Sequence, residues 1–276
     1  MTMTIESKKF TLPSVADPQR AVMDASDVAI VVAHPDDESV GCGALLLRLR
    51  DAHLIVVTDG APRNLADATL YGFEDAEHYR HRRATELADA MRLADVRSVT
   101  MLDVPDQETC RQLADVAQRL ARFFAARRIT TVLTHAYEGG HPDHDATAFC
   151  VHAAAALLGE EAPRIIEMPF YHLGERGMRV QAFCDGDEGT VLRLETGEEC
   201  LKQRLLRCHK TQTRTLSAFS LEAERYRAAP TYNFVAPPNF GRVLYASFDW
   251  GLAPAEWPQL AHAAWQKLGM RGYACA

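Results

Sequence analysis

"DVAIVVAHPDDE", Asp27 to Glu38, sets an unbroken apolar run directly against a histidine, a proline and three acids. The run is rich in β-branched residues and does not alternate with polar ones, the pattern of a strand buried on both faces. Outward from it, "GCGALLLRLRD" (41–51) is an apolar, glycine-containing, helix-like stretch, and "HLIVVTDGA" (53–61) is a second strand. "YRHRRATELADAMRLADV" has helical spacing, with Leu87, Met91 and Leu93 on or near one face, and leads into a third strand in "SVTMLDVPD". A further helix in "TCRQLADVAQRLARFFAARR" precedes the strand "ITTVLTHAY". Strand and helix alternating in this way predict an α/β fold, Rossmann-like, with a mostly parallel sheet covered by helices on both faces.

After about residue 160 the order changes. "RIIEMPFYHL" and "TVLRLE" read as strands, "GEECLKQRLLRCHKTQTRTL" as a helix with a basic end, and the aromatic, Pro- and Gly-rich tail as ordered loops. The expected division is an N-terminal extension over residues 1–26, a catalytic core over 27–160, and a smaller α+β region over 161–276 that completes the fold and shapes the substrate pocket.

Composition narrows the function. Of 276 residues, 47% are apolar and 24% charged, which suits a soluble globular enzyme. The net charge is -7, and the 30 Lys and Arg are spread along the chain, so no basic stripe points to nucleic acid. "RHRR" (Arg80 to Arg83) is the densest basic spot and reads mostly as a solvated helix face. No apolar run is long enough for a signal peptide or a membrane span, so a cytoplasmic location is expected. Seven cysteines without a CxxC pair exclude a disulfide framework and a thiolate zinc site.

In open parallel sheets, ligands bind beyond the carboxyl ends of strands. "HPDDE", "TDG" (58–60), "DVPDQE" and "HAYEGGHPDH" all fall at or just past such ends, so four polar clusters are expected on one rim. Two of them, "HPDDE" and "HPDH", offer His34, Asp36, Asp37, Glu38, His141, Asp143 and His144. Two imidazoles, one carboxylate and an open position are the donor set of a catalytic zinc site, and Fe(II) uses the same set. So many acids at one strand end require raised pKa values or a nearby positive charge. The alternative is that each cluster merely caps the next helix. A dinucleotide loop at "GCG" is the rival reading, but its fingerprint is incomplete, and the three acids before it would repel a pyrophosphate.

"AHPDDE", "GCGALL", "VVTDG", "RATEL" and "YEGGHPDHDA", in that order, resemble the zinc-dependent de-N-acetylases known as the PIG-L or LmbE-like family. The resemblance covers about residues 27 to 160 and is weak beyond them. It implies hydrolysis of an N-acyl amide, a linear carbon–nitrogen bond, usually the N-acetyl group of a glucosamine-type sugar or its conjugate. His34, Asp37 and His144 would then hold Zn2+, or Fe2+ in its place, and Asp36 would be the general base acting on the zinc-bound water. His141 would be the general acid or oxyanion stabiliser, held and tuned by Asp143, whose charge is expected to raise its pKa toward the working range. Arg83 matches a family arginine near the active site, against a plain surface pairing with Glu86. Tyr137 is a candidate hydrogen-bond donor to substrate, against core packing.

Glu38 is expected behind the ligands, His209 on the surface, and His135, His152, His172 and His262 in structural roles. The tail aromatics, among them Tyr226, Tyr232, Phe234, Phe240, Tyr245, Phe248, Trp250 and Trp257, are expected mainly in packing, with a sugar ring or apolar aglycone as the other use. The expected partner is a small N-acylated sugar or conjugate. Two other functions compete: an amidase on a larger thiol-sugar conjugate or acylated natural product, and a non-catalytic metal- or carbohydrate-binding protein. The sequence leaves the oligomeric state open.

Overall fold

In the computed structural model, which describes residues 8–17 and 19–270, the expected α/β architecture is present. A seven-stranded sheet is built from β1 (Val28–Val32), β2 (His53–Thr58), β3 (Ser98–Val104), β4 (Thr131–His135), β5 (Arg164–Met168), β6 (Thr190–Arg193) and β7 (Ala223–Ala228). Its spatial order is β6-β7-β5-β4-β1-β2-β3. The first five strands in sequence are mutually parallel, whereas β7 joins β5, and β6 joins β7, antiparallel. The five parallel strands thus follow the doubly wound order 3-2-1-4-5, and the antiparallel pair β7 and β6 extends the same sheet.

Period-two geometry explains why the strands are apolar throughout. Ala29 and Val31 of β1, Ile55 and Val57 of β2 and Val132 of β4 point into one core layer. Ile30 and Val32, Leu54 and Val56, and Leu133 point into the other. The first layer is closed by α3 (Leu113–Arg127), α4 (Pro142–Leu158) and α6 (Trp257–Lys267). The second is closed by α1 (Asp37–Leu46), α2 (Ala76–Leu93) and α5 (Thr196–Leu206). Helix α4 is buried around nearly its whole circumference, wedged between the sheet and α3.

Helix α1, which starts on the first acidic motif, is broken at Cys42, where φ is -143°. The break strands backbone groups that the C-terminal region then satisfies. The Glu224 carboxylate accepts from the Ala44 and Leu45 amides at 2.8 and 3.2 Å, and Lys202 Nζ donates to the Val40 carbonyl at 2.7 Å and to Glu224 at 2.8 Å. Lys202 and Glu224 are fully buried. The long helix expected over 197–216 ends at Leu206, and a short 3-10 turn, Lys210–Gln212, follows it. Near the N-terminus, Arg20 bonds Glu195 and Glu198, while Arg48 bonds the Ser14 and Val15 carbonyls. The six cysteines within the described residues are free, and Cys275 lies outside them.

Lys202→Met leaves Glu224 buried without its cation, and removing one partner of such a pair costs about 3–5 kcal/mol. Urea denaturation is expected to show that loss as a lowered midpoint with an unchanged slope.

Candidate metal centre and active site

Strand order reverses between β1 and β4, so the segments leaving their carboxyl ends turn to opposite faces and open a crevice between them. "HPDDE" leaves β1 and "AYEGGHPDH" leaves β4 at that crevice. The neighbouring ends complete the rim. The Thr58 amide and hydroxyl bond the Ala33 carbonyl, and Asp59 Oδ1 accepts from the Asp106 amide at 3.2 Å. All four polar clusters expected on one rim are therefore in contact.

The loop after β4 is shaped by buried carboxylates. Asp145 accepts from the Glu138 and Gly139 amides, and Glu138 accepts from those of Phe170 and Tyr171. Gly140 is required here, because a Cβ would strike the Tyr171 carbonyl. His141 is the N-cap of α4, its Nδ1 accepting from the Asp143 amide at 3.1 Å, and Pro142 takes the first helical position. The cap reading of "HPDH" thus holds for the backbone, while the side chains converge on the crevice.

Ligand atoms of His34, Asp37 and His144 lie within 4.8 Å of one another, and all three residues are buried. Asp37 is central: its Oδ2 is 3.3 Å from His34 Nδ1, its Oδ1 is 3.4 Å from His144 Nε2, and Oδ2 also accepts the His34 amide at 2.8 Å. A second grouping shares His34 and adds Asp106, His141 and Asp143 within the same limit. Burial alone would lower the His34 pKa, yet Asp106, with help from Asp143 and Asp37, raises it well above its ordinary value. The acids therefore draw a positive charge to this point, and burial holds His144 neutral, with its pKa lowered to about 4. A hard-to-bury excess of carboxylate beside a neutral imidazole fits a divalent cation.

The Asp143 carboxylate does not hold His141 as expected. It faces His34 Nε2 at 3.3 Å and accepts the Gln107 and Thr109 amides at 2.6 and 3.1 Å. Burial pushes Asp143 up, but these bonds win and keep it below the usual carboxylate range. With Nε2 so engaged, His34 presents Nδ1 to Asp37, the carboxylate–histidine arrangement that orients metal-binding imidazoles. Nor is the His141 pKa raised toward the working range: burial and the neighbouring His34 charge lower it well below its ordinary value, more than Asp143 restores.

Asp36 stands at φ 128°, a strained position for a residue with a side chain. Its carboxylate does not cap α1 and instead accepts Arg83 Nη2 at 3.0 Å. Burial raises its pKa to about 7, opposed by Arg83 and reinforced by Asp37. Arg83 lies on the buried face of α2 and also bonds the Pro35 and Gly60 carbonyls, whereas Arg82, not Arg83, pairs with Glu86. Its donors are thus directed to Asp36 and backbone, not to a substrate. Gly60, at φ 65°, admits the guanidinium that any Cβ would displace. Tyr137 is likewise turned away: its hydroxyl donates to the Ala236 carbonyl at 2.8 Å and its ring packs on Tyr232, Phe234 and Trp257.

Three residues were not assigned to the site from sequence. His135 closes β4, stacks on His144 at 4.0 Å, and accepts the Ala33 amide on Nε2. Asp106 lies 3.3 Å from His34. His209, expected on the surface, is 1% exposed and faces Glu38 at 3.2 Å. Their signals were present, since His135 and Asp106 fall at strand ends, but no local motif marks His209. Among the tail aromatics, Tyr226, Phe234, Tyr245 and Trp257 are core, whereas Trp250 packs on His141 at 4.7 Å and stacks with the half-exposed Phe248 at 4.3 Å.

Residues 29–155 match the family model described as "PIG-L: GlcNAc-PI de-N-acetylase". Over these residues the chain is similar to PIG-L family de-N-acetylases. A probable N-acetyl-alpha-D-glucosaminyl L-malate deacetylase of Bacillus subtilis is 29% identical over 196 residues, covering 67% of this chain and 83% of its own length. The fold is shared with the N,N'-diacetylchitobiose deacetylase of Pyrococcus horikoshii, at TM-score 0.55 and 18% identity over 79% of this chain and 89% of that one. It is shared too with the A40926 pseudoaglycone deacetylase, at TM-score 0.56 and 19% identity over 70% and 85%. No helix among the described residues is long and apolar enough to cross a membrane.

Asp143→Ala removes one of the two carboxylates at His34 Nε2, and losing such a partner typically weakens metal affinity about 10–100-fold. Competition with a chelating dye is expected to show that weakening, while His144→Ala is expected to leave no stoichiometric metal by elemental analysis.

Proposed function

We propose that the chain is a metal-dependent N-deacetylase that cleaves the acetyl amide of an N-acetylglucosamine-type sugar or its conjugate. One observation carries the reading: the donors of His34, Asp37 and His144 meet at the crevice where strand order reverses, beside a strained, arginine-bound Asp36 and the helix-capping His141. Zinc is the proposed ion, with Fe(II) as the other occupant of the same donors. When bound, it supplies an acidified water and a positive charge toward the amide carbonyl.

Asp36 is the proposed base. Arg83 fixes its carboxylate, so the oxygen not bonded to the guanidinium is free to take a proton from an attacking water. His141 accepts the Asp143 amide on Nδ1, so its neutral ring carries the proton on Nε2. That N–H stabilises the oxyanion that forms as the carbonyl becomes tetrahedral, and the proton taken by Asp36 is returned to the leaving amine. The carbon–nitrogen bond breaks, and acetate and a free amine result. The paired Phe248 and Trp250 beside His141 favour, as a second reading, a conjugate whose apolar portion lies on those rings.

Asp36→Asn is expected to keep one metal per chain and to lower kcat by about 10²–10⁴-fold, the usual contribution of a positioned base. Amine release from N-acetylglucosamine, its glycosides and lipid conjugates, and N-acylated glycopeptides, read together with elemental analysis, tests this. A variant with wild-type turnover removes Asp36 from the base role, and absence of metal-dependent release from the whole panel overturns the proposal.

A further inference from the structure

Glu38 and His209 form a buried pair behind the proposed base that the reaction as described does not use. Glu38 Oε2 accepts the Asp36 amide at 3.0 Å, and its Oε1 faces His209 Nε2 at 3.2 Å while accepting the Ser39 hydroxyl at 2.6 Å. Glu38 and His209 are 0% and 1% exposed. The amide that Glu38 holds belongs to the residue with φ 128°, a backbone state that persists only where its surroundings over-determine it.

The segment carrying His209 is fastened to the helix that carries Arg83. The Thr211 hydroxyl donates to Glu86 at 2.6 Å, its amide donates to the same carboxylate, and Gln212 Nε2 donates to the Tyr79 hydroxyl at 2.7 Å. Tyr79, Arg83 and Glu86 follow one another at helical spacings of four and three, so they share a face of α2. One short segment therefore grips both the backbone of Asp36, through Glu38, and the helix whose arginine holds the Asp36 carboxylate.

We propose that His209 is a positioning residue: through Glu38 it holds the Asp36 backbone in its strained conformation and so aims the carboxylate at the attacking water. The consequence for turnover rests on the hydrolase reading, but the backbone effect does not. Removing the donor from His209 loosens Glu38, lets the Asp36 amide open, and misplaces the base without touching His34, Asp37 or His144. Misplacement by about 1 Å costs about 10²-fold in rate, so the effect is expected in kcat.

The test compares wild type, His209→Leu, which fills the space without a donor, and His209→Gln, which restores an N–H. Hydrogen exchange at the Asp36 amide, kcat and KM for amine release, metal per chain and Tm are measured on each full chain. His209→Leu is expected to speed Asp36 exchange at least about tenfold and to lower kcat about 10–100-fold, with KM within about twofold and metal retained. His209→Gln is expected to recover most of both losses. Wild-type exchange at Asp36 in His209→Leu overturns the proposal. So does a Gln variant no better than Leu with metal and Tm falling together, which marks a merely structural role. If wild type hydrolyses no amide in the panel, the hydrolase reading fails alone, and exchange still decides the role of His209.

Discussion

Four carboxylates are buried at the site, Asp37, Asp106 and Asp143 against the imidazole of His34 and Asp36 against Arg83, and the site is organised by how their charge is offset. Like charges at such distances in a poorly solvated crevice disfavour one another's ionised forms unless cations or amide donors face them. Three of these acids have different answers. Asp143 takes two backbone amides and the His34 ring, Asp37 lies between histidines, and Asp36 takes Arg83. A cation among His34, Asp37 and His144 would complete this compensation.

The fold supplies the place where such a cluster can be built. A parallel sheet presents all its carboxyl ends at one rim, and only at the reversal between β1 and β4 do adjacent connections diverge and leave room. The two histidine motifs are the segments that leave these two strands, so His34 and His141, 107 residues apart in sequence, come to contact distance. The apolar strands beneath are buried on both faces, which makes the rim a rigid support for side chains that have to meet within a few tenths of an ångström.

The C-terminal region belongs to the same machinery. It adds two antiparallel strands to the sheet, repairs the break in α1 with Lys202 and Glu224, and places His209 behind Glu38 and Trp250 against His141. The first two of these act on stability, and the last two act on the surroundings of the proposed base and of the proposed oxyanion donor. A region that resembles the family only weakly in sequence thus supports the core that carries the matching motifs.

The sequence by itself determined the layering, the strand ends at which chemistry collects, and the two motifs whose donors meet. Those features are local: a run of Val, Ile and Leu buries both faces of a strand wherever it occurs, and a polar cluster after it must lie at the rim. Which carboxylate faces which imidazole was decided only by tertiary structure. Adjacency suggested that Asp143 tunes His141, but the helical turn that makes His141 a cap points the Asp143 side chain to His34 and the loop after β3. Arg83 and Tyr137 were singled out by motif and position, yet their donors are engaged by groups 47 and 99 residues away in sequence. His209 was indistinguishable from a surface histidine, because its partner, Glu38, lies 171 residues before it. Long-range pairing of this kind leaves no periodicity or spacing to read, and packing of the C-terminal region against the core creates it.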